Sequence, residues 1–163
     1  MSPRAAADAP SRTAEALLDA GVVVAESHGL AGLSVNRVVA TAGVAKGTFY
    51  VHFDDRRTFV DTLHARFHAR VEEAVAAAVA AIPPGSERLV AGADAYLDVC
   101  LKERAVKALA LEARSDPDLA TSIAIRHERF AASAAPSFRA MGWPDATAAA
   151  QLLAAMTAEI AIR

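Results

Sequence analysis

Residues 34–53, Ser-Val-Asn-Arg-Val-Val-Ala-Thr-Ala-Gly-Val-Ala-Lys-Gly-Thr-Phe-Tyr-Val-His-Phe, constrain the fold more than any other stretch of the chain. They read as two short helices joined by a tight turn. Ser34 suits the N-cap of the first, because its hydroxyl can accept from a backbone N–H two or three residues on. Val35, Val38, Val39 and Ala42 recur at helical spacing and give that helix one apolar face. Gly43 stands where a left-handed residue is needed to end the helix and turn the chain. In the second helix Phe49 and Phe53 lie four residues apart, so both rings are expected to point into a core. Lys46, Gly47, Thr48, Tyr50, Val51 and His52 are left on the outside. Such an outer face, cationic, aromatic and rich in hydrogen-bonding groups, suits the major groove of DNA.

The same residues carry a resemblance. Gly-Val-x-Lys-Gly-Thr-Phe-Tyr-x-His-Phe after a serine-capped helix resembles the DNA-binding domain of the TetR family of transcriptional repressors. The likeness extends back through Leu17-Leu18-Asp19-Ala20 and Gly29, and forward to Arg56 and Phe59, covering roughly residues 14–63. Beyond it the chain resembles the family in being helical and apolar. The implied fold is all-α, with an N-terminal three-helix helix-turn-helix DNA-binding domain and a C-terminal helical ligand-binding and dimerisation domain. Residues 1–10 are expected to be a disordered arm, 11–55 the DNA-binding domain and 56–163 the effector-binding and dimerisation domain.

Composition agrees with a regulator built this way. Hydrophobic residues make up 54% of the chain and mean hydropathy is +0.25, which points to a self-association surface. The single cysteine, Cys100, excludes an intrachain disulfide framework and fits a reducing cytoplasm. No apolar run has the length of a membrane span, and the N-terminus lacks the apolar core of a signal peptide. Net charge is −2, which argues against a generally basic nucleic-acid binder. Residues 30–70, however, carry six Lys/Arg against three Asp, whereas residues 71–163 carry nine Lys/Arg against twelve Asp/Glu. A locally basic module on an acidic body is a modest electrostatic footprint for DNA.

Along the chain, the first helix is expected over 11–28, with Ala14, Leu17, Leu18, Gly21, Val22 and Ala25 buried and Gly29 as its C-cap. The family usually carries alanine near Gly21 and an aromatic near Ala25, so packing there is looser or filled by another side chain. Asp54 and Asp55 cap a long helix over 56–81, ended by Pro83-Pro84-Gly85. That helix is the physical lever between module and body. Ser86 caps a further helix with Tyr96 and Cys100 inward, and the pattern allows a break near Glu103 and Arg104. Residues 105–115 are helical by propensity. Asp116-Pro117 starts the next helix, which Pro136 should kink or divide. Gly142-Trp143-Pro144 ends it, and the last helix runs over 145–163.

The resemblance implies roles by position. Thr48 and Tyr50 would contact the DNA backbone and edges of bases, and Lys46, Gly47 and Val51 would face base edges. His52 would donate to one phosphate and Arg56 would hold a second. Ser34 and Val35 lie beside the backbone at the entry of the supporting helix. Asn36 stands where the family often has arginine, and asparagine pairs bidentately with adenine, so an adenine preference is expected there. Ala45 replaces a usual serine, removing an N-cap hydroxyl, and Arg37 replaces a common acidic residue, removing half of a capping box. Phe67, Tyr96, Cys100, Arg104, Ile123, His127 and Phe130 are the expected effector-pocket residues, with Arg126 an alternative polar anchor. Leu152, Leu153, Met156 and Ile160 are the expected dimer interface. Members of the family continue into a further helix that completes this interface. The sequence is therefore expected to be incomplete, the alternative being a short variant.

His64, His68 and Glu72 recur every four residues, with metal-ligand types at ligand spacing; the competing reading is the polar face of an amphipathic helix. A metal-binding bundle or helical metalloenzyme is the alternative function, and an adaptor that has lost operator binding a third. The favoured expectation is a cytoplasmic, homodimeric, ligand-responsive repressor that is not an enzyme. Its partners would be a double-stranded DNA operator and a small-molecule effector, without catalytic residues, cofactor, metal or membrane.

Overall fold

The computed structural model describes residues 11–104 and 117–160, with backbone only at residues 117–120, 122 and 123. The expected N-terminal arm, the helix over 105–115, the Asp116 cap and residues 161–163 lie outside the described residues. Those described form helices and turns, without a strand: α1 (Arg12–Gly32), α2 (Val35–Ala42), α3 (Lys46–His52), α4 (Arg56–Val79), α5 (Ser86–Lys102), α6 (Pro117–Ala140) and α7 (Ala146–Ile160). The all-α class is as expected. Two compact units are present, one ending at Leu63 and one beginning at His64. The first two turns of α4 therefore go with α1–α3.

In the first unit local chemistry sets the helix ends. Ser11 Oγ accepts from the Ala14 N–H at 3.2 Å and starts α1. Gly29 has the positive φ of a helix end (64°), but residues 30–32 resume a helical turn, so α1 extends to Gly32. Ser34 caps α2, its Oγ accepting from the Arg37 N–H at 3.4 Å. Gly43 (φ 70°) closes α2, and the Val44 N–H returns to the Val39 carbonyl. The core is aromatic. Phe49, Phe53 and Phe59 pack with ring centroids 5.0–5.4 Å apart, over buried Leu17, Leu18, Val38 and Leu63. Burying one such ring stabilises by about 1.5–3 kcal/mol, so the trio is the main apolar anchor of α3. Gly21 faces it: a Cβ there would lie 2.6 Å from Phe59 Cζ. Phe59 thus occupies the room left where the family usually has alanine. In α1, Val24 is buried and Val22 only half-buried, one position off the expected stripe.

In the second unit α6 and α7 pack through alanines, with Ala131, Ala135, Ala146, Ala150 and Ala154 buried around Phe138. Gly85, not Ser86, holds the N-cap position of α5, and neither the glycine nor Ser86 supplies a capping side chain. Arg88 does the joining instead: its guanidinium donates to the Val79 and Ile82 carbonyls at the end of α4. Arg70 forks onto the Glu103 carboxylate at the end of α5. The helix α6 continues through Pro136. The proline withholds an N–H from the Ala132 carbonyl, but both residues are exposed and water can serve that carbonyl. Asp145 caps α7, accepting from the Ala148 N–H at 2.9 Å. Among the described residues no helix is long and apolar enough to cross a membrane.

Candidate functional site

The outer face of α3 is held up from below. Phe49 is wholly buried, while Val51 is 78% and Tyr50 50% exposed, and Lys46 and Gly47 are exposed as well. Tyr50 stands edge-on against Phe49 at 5.4 Å, which fixes the ring and leaves half of the side chain outside. Thr48 and His52 are half-buried at the margins of the face. Ala45 occupies the N-cap without a side-chain bond; the first turn is closed by the Thr48 N–H donating to the Ala45 carbonyl at 3.0 Å. His52 Nδ1 lies 3.5 Å from Ser11 Oγ, a long contact that nevertheless sets the start of α1 against the end of α3. Asn36 is exposed on α2, with Ser34 and Val35 half-buried at its entry. Residues 34–53 contain no acidic side chain, so nothing on this face opposes an anion.

The turn before α2 is pinned by two arginines. Arg56 donates through Nε to the Leu33 carbonyl and through Nη2 to the Leu30 carbonyl, and Arg37 Nη1 donates to the Gly32 carbonyl at 2.9 Å. Arg56 was expected to hold a phosphate; here most of its fork is spent on the protein's own loop. Arg37, whose arrival removes a capping box, takes up the same task. At the start of α4 the Asp55 carboxylate accepts from the Thr58 N–H at 2.7 Å. That bond, helped by the Thr58 hydroxyl, holds the Asp55 carboxyl below its ordinary value.

The second unit contains a cavity of about 340 Å³. Val75, Ala76 and Val79 of α4, Leu89, Gly92 and Ala93 of α5, Phe130 and Ala134 of α6 and Leu153 of α7 give it an apolar wall. Ser133, Ser137 and Thr157 supply hydroxyls, and Arg88, Arg129 and Glu72 supply charges. The space arises because small residues meet: a Cβ on Gly92 would lie 3.5 Å from the nearest atom, Val79 Cγ1. Its volume falls within the usual range of small-molecule sites, about 300–1,000 Å³.

Residues 17–63 match the family model for bacterial regulatory proteins of the tetR family. That match lies within the first unit. No curated protein matches the sequence. Among solved structures the chain is similar to a TetR-like transcriptional regulator from Rhodococcus sp. RHA1, at 21% identity and a TM-score of 0.79, covering 100% of this chain and 86% of that one. It is also similar to the fatty acid degradation regulator FadR from Bacillus halodurans, at 16% identity and a TM-score of 0.83, with 95% and 85% covered. A putative transcriptional regulator from Pseudomonas aeruginosa PAO1 matches at 21% identity and a TM-score of 0.76, with 96% and 80% covered. At these identities the similarity is one of fold.

In the second unit the expected pocket residues are scattered. Only Phe130 lines the large cavity. Tyr96 packs on Phe130 at 5.0 Å and, with His127, borders a void of about 10 Å³, too small for an effector. Phe67 and Cys100 are buried core, Arg104 is exposed, and the Ile123 side chain lies outside the described residues. The expected interface residues also divide: Leu152, Met156 and Ile160 are 63%, 55% and 57% exposed, whereas Leu153 turns inward to the cavity. His64 and His68 are buried and Glu72 is exposed, so the three do not form a polar face. Among the described residues no three His, Cys, Asp or Glu side chains are grouped to hold a metal. Ser137, Gly92, Arg88 and Leu153 were not anticipated as cavity residues; the concentration of Gly and Ala at Ala76, Gly92, Ala93 and Ala134 was the available signal.

Proposed function

We propose that this protein is a cytoplasmic homodimeric repressor that binds a palindromic operator and leaves it when a small molecule occupies the second unit's cavity. The observation that carries the reading is the exposed Lys46–Val51 face of α3 on a fully buried Phe49. In that reading Lys46, Gly47 and Val51 meet base edges, and Thr48 and Tyr50 meet backbone and bases. His52 donates to a phosphate, Ser34 and Val35 lie along the backbone, and Asn36 reads adenine. Arg56 reaches a phosphate only by using Nη1 or giving up its loop carbonyls.

Dimerisation is supported by the stripe of Leu152, Met156 and Ile160, spaced four residues apart on the outside of α7. Effector control is supported by α4. Its first turns carry Phe59 and Leu63 of the first unit's core, and its later turns carry Val75 and Val79 of the cavity wall. A ligand that favours a different course of α4 would shift the population of DNA-competent dimers. Binding to double-stranded DNA, followed by fluorescence anisotropy at increasing salt, tests the reading. Log affinity should fall linearly with log salt, and Tyr50→Ala should weaken operator binding at every salt concentration. Salt-independent binding, or binding that Tyr50→Ala leaves intact, contradicts it.

A further inference from the structure

Among the described residues, the Ser137 hydroxyl is a buried polar group that the fold leaves unsatisfied. It is fully buried, belongs to a residue that lines the cavity, and makes no hydrogen bond. Other helical hydroxyls here avoid that state: Ser27, Thr62, Ser133 and Thr157 each donate to a carbonyl one turn back. A buried hydroxyl with no partner is costly and calls for one. Resting on the reading of the cavity as an effector site, we infer that its ligand is an uncharged, largely aliphatic molecule with one carbonyl oxygen that accepts a hydrogen bond from Ser137.

Three features select that chemistry. The Thr157 and Ser133 hydroxyl hydrogens are committed to the Leu153 and Phe130 carbonyls, whereas the Ser137 hydroxyl hydrogen is uncommitted and can be given to a carbonyl oxygen of the ligand. Arg88 spends its Nη1 on the Val79 and Ile82 carbonyls, while Arg129 and Glu72 are exposed and opposite in sign. A carboxylate brought to Ser137 would lose its water at a fully buried, neutral hydroxyl that no guanidinium bonds, which is unfavourable. The remaining wall, with Val75, Val79, Leu89 and Phe130, rewards an aliphatic body through burial of apolar surface.

The test uses the full chain and displacement of the neutral dye N-phenyl-1-naphthylamine, with decan-2-one and decanoate as competitors at neutral pH. The ketone should compete at least about tenfold better than the acid. Ser137→Ala should weaken the ketone about tenfold and leave the affinity for the dye, which has no carbonyl, unchanged. Ser137→Cys, nearly isosteric and a weaker donor, should fall between. Gly92→Leu, which fills the cavity, should abolish dye binding. Ketone affinity unaffected by both Ser137 variants overturns the ligand class. So does preference for decanoate that is lost in Arg129→Ala, and in either case the effector site itself survives. Dye binding that Gly92→Leu leaves intact, with no displacement by either competitor, overturns the effector-site reading and this inference with it.

Discussion

Two glycines inside helices should answer the same substitution with opposite signs. Replacing glycine by alanine within a helix is worth about 1 kcal/mol in propensity alone. At Gly92 nothing opposes that gain, since the new Cβ would meet Val79 Cγ1 at 3.5 Å and Val75 Cγ1 at 3.7 Å, ordinary contact distances. At Gly21 it would fall 2.6 Å from Phe59 Cζ, and Phe59 is 1% exposed and wedged between Phe49 and Phe53. Overpacking of this kind costs about 1–3 kcal/mol, which exceeds or cancels the propensity gain. We expect Gly92→Ala to stabilise its unit by roughly 0.5–1 kcal/mol and Gly21→Ala to destabilise its own by about 1 kcal/mol. Amide hydrogen exchange read by peptide mass spectrometry separates the units: α1 should exchange roughly fivefold faster in Gly21→Ala, and α5 slower in Gly92→Ala. In a Phe59→Leu background, Gly21→Ala should lose its penalty, giving a coupling of about 1–2 kcal/mol. Equal stabilisation at both sites, or additivity of the Gly21 and Phe59 changes, would show that Phe59 does not occupy the space of the missing Cβ.

Arg56→Ala should loosen residues 30–33, with faster exchange there at a cost of about 1 kcal/mol, while the slope of log affinity against log salt stays as in the parent. A slope lower by about one would assign Arg56 to a phosphate instead. Asn36→Arg should move base preference at one operator position from adenine toward guanine in a binding selection, and an unchanged preference removes Asn36 from base reading. Because Asp55 titrates below the ordinary carboxylate value of 3.8 in the folded state, its contribution is complete above that value and is lost as pH falls through the lower folded one. Titration of the Thr58 amide by NMR should therefore show a midpoint below 3.8; a midpoint at or above it means that the Asp55–Thr58 cap is absent in solution.

What could be read in the sequence was what local chemistry decides. The cap at Ser34, the turn at Gly43 and the inward pair Phe49 and Phe53 each follow from residue type and helical spacing, and each is present. Where local signals compete the outcome was hidden. Gly29 adopts its positive φ, yet the chain resumes a helical turn behind it. Ser86 is a good cap by type, but Gly85 takes the position and Arg88 serves the neighbouring carbonyls from a distance. His64 and His68 look polar on a helical wheel and are buried. The cavity was least legible. Helical periodicity tells which side of α5 or α6 faces inward, as it did for Tyr96 and Phe130, but not the level along the axis at which small residues on four helices meet. Leu153 was grouped with Leu152 by hydrophobicity, although adjacent residues on a helix point about 100° apart.

The central claim is that α2 and α3 read sequence and do so in pairs. Repeated selection of bound fragments from a random pool of double-stranded DNA measures it directly. We predict an enriched inverted repeat whose half-sites lie about one helical turn apart, roughly 34 Å centre to centre, and loss of that enrichment in a Lys46→Ala/Tyr50→Ala protein. A pool that remains random after selection, or enrichment that the double variant leaves intact, contradicts the claim.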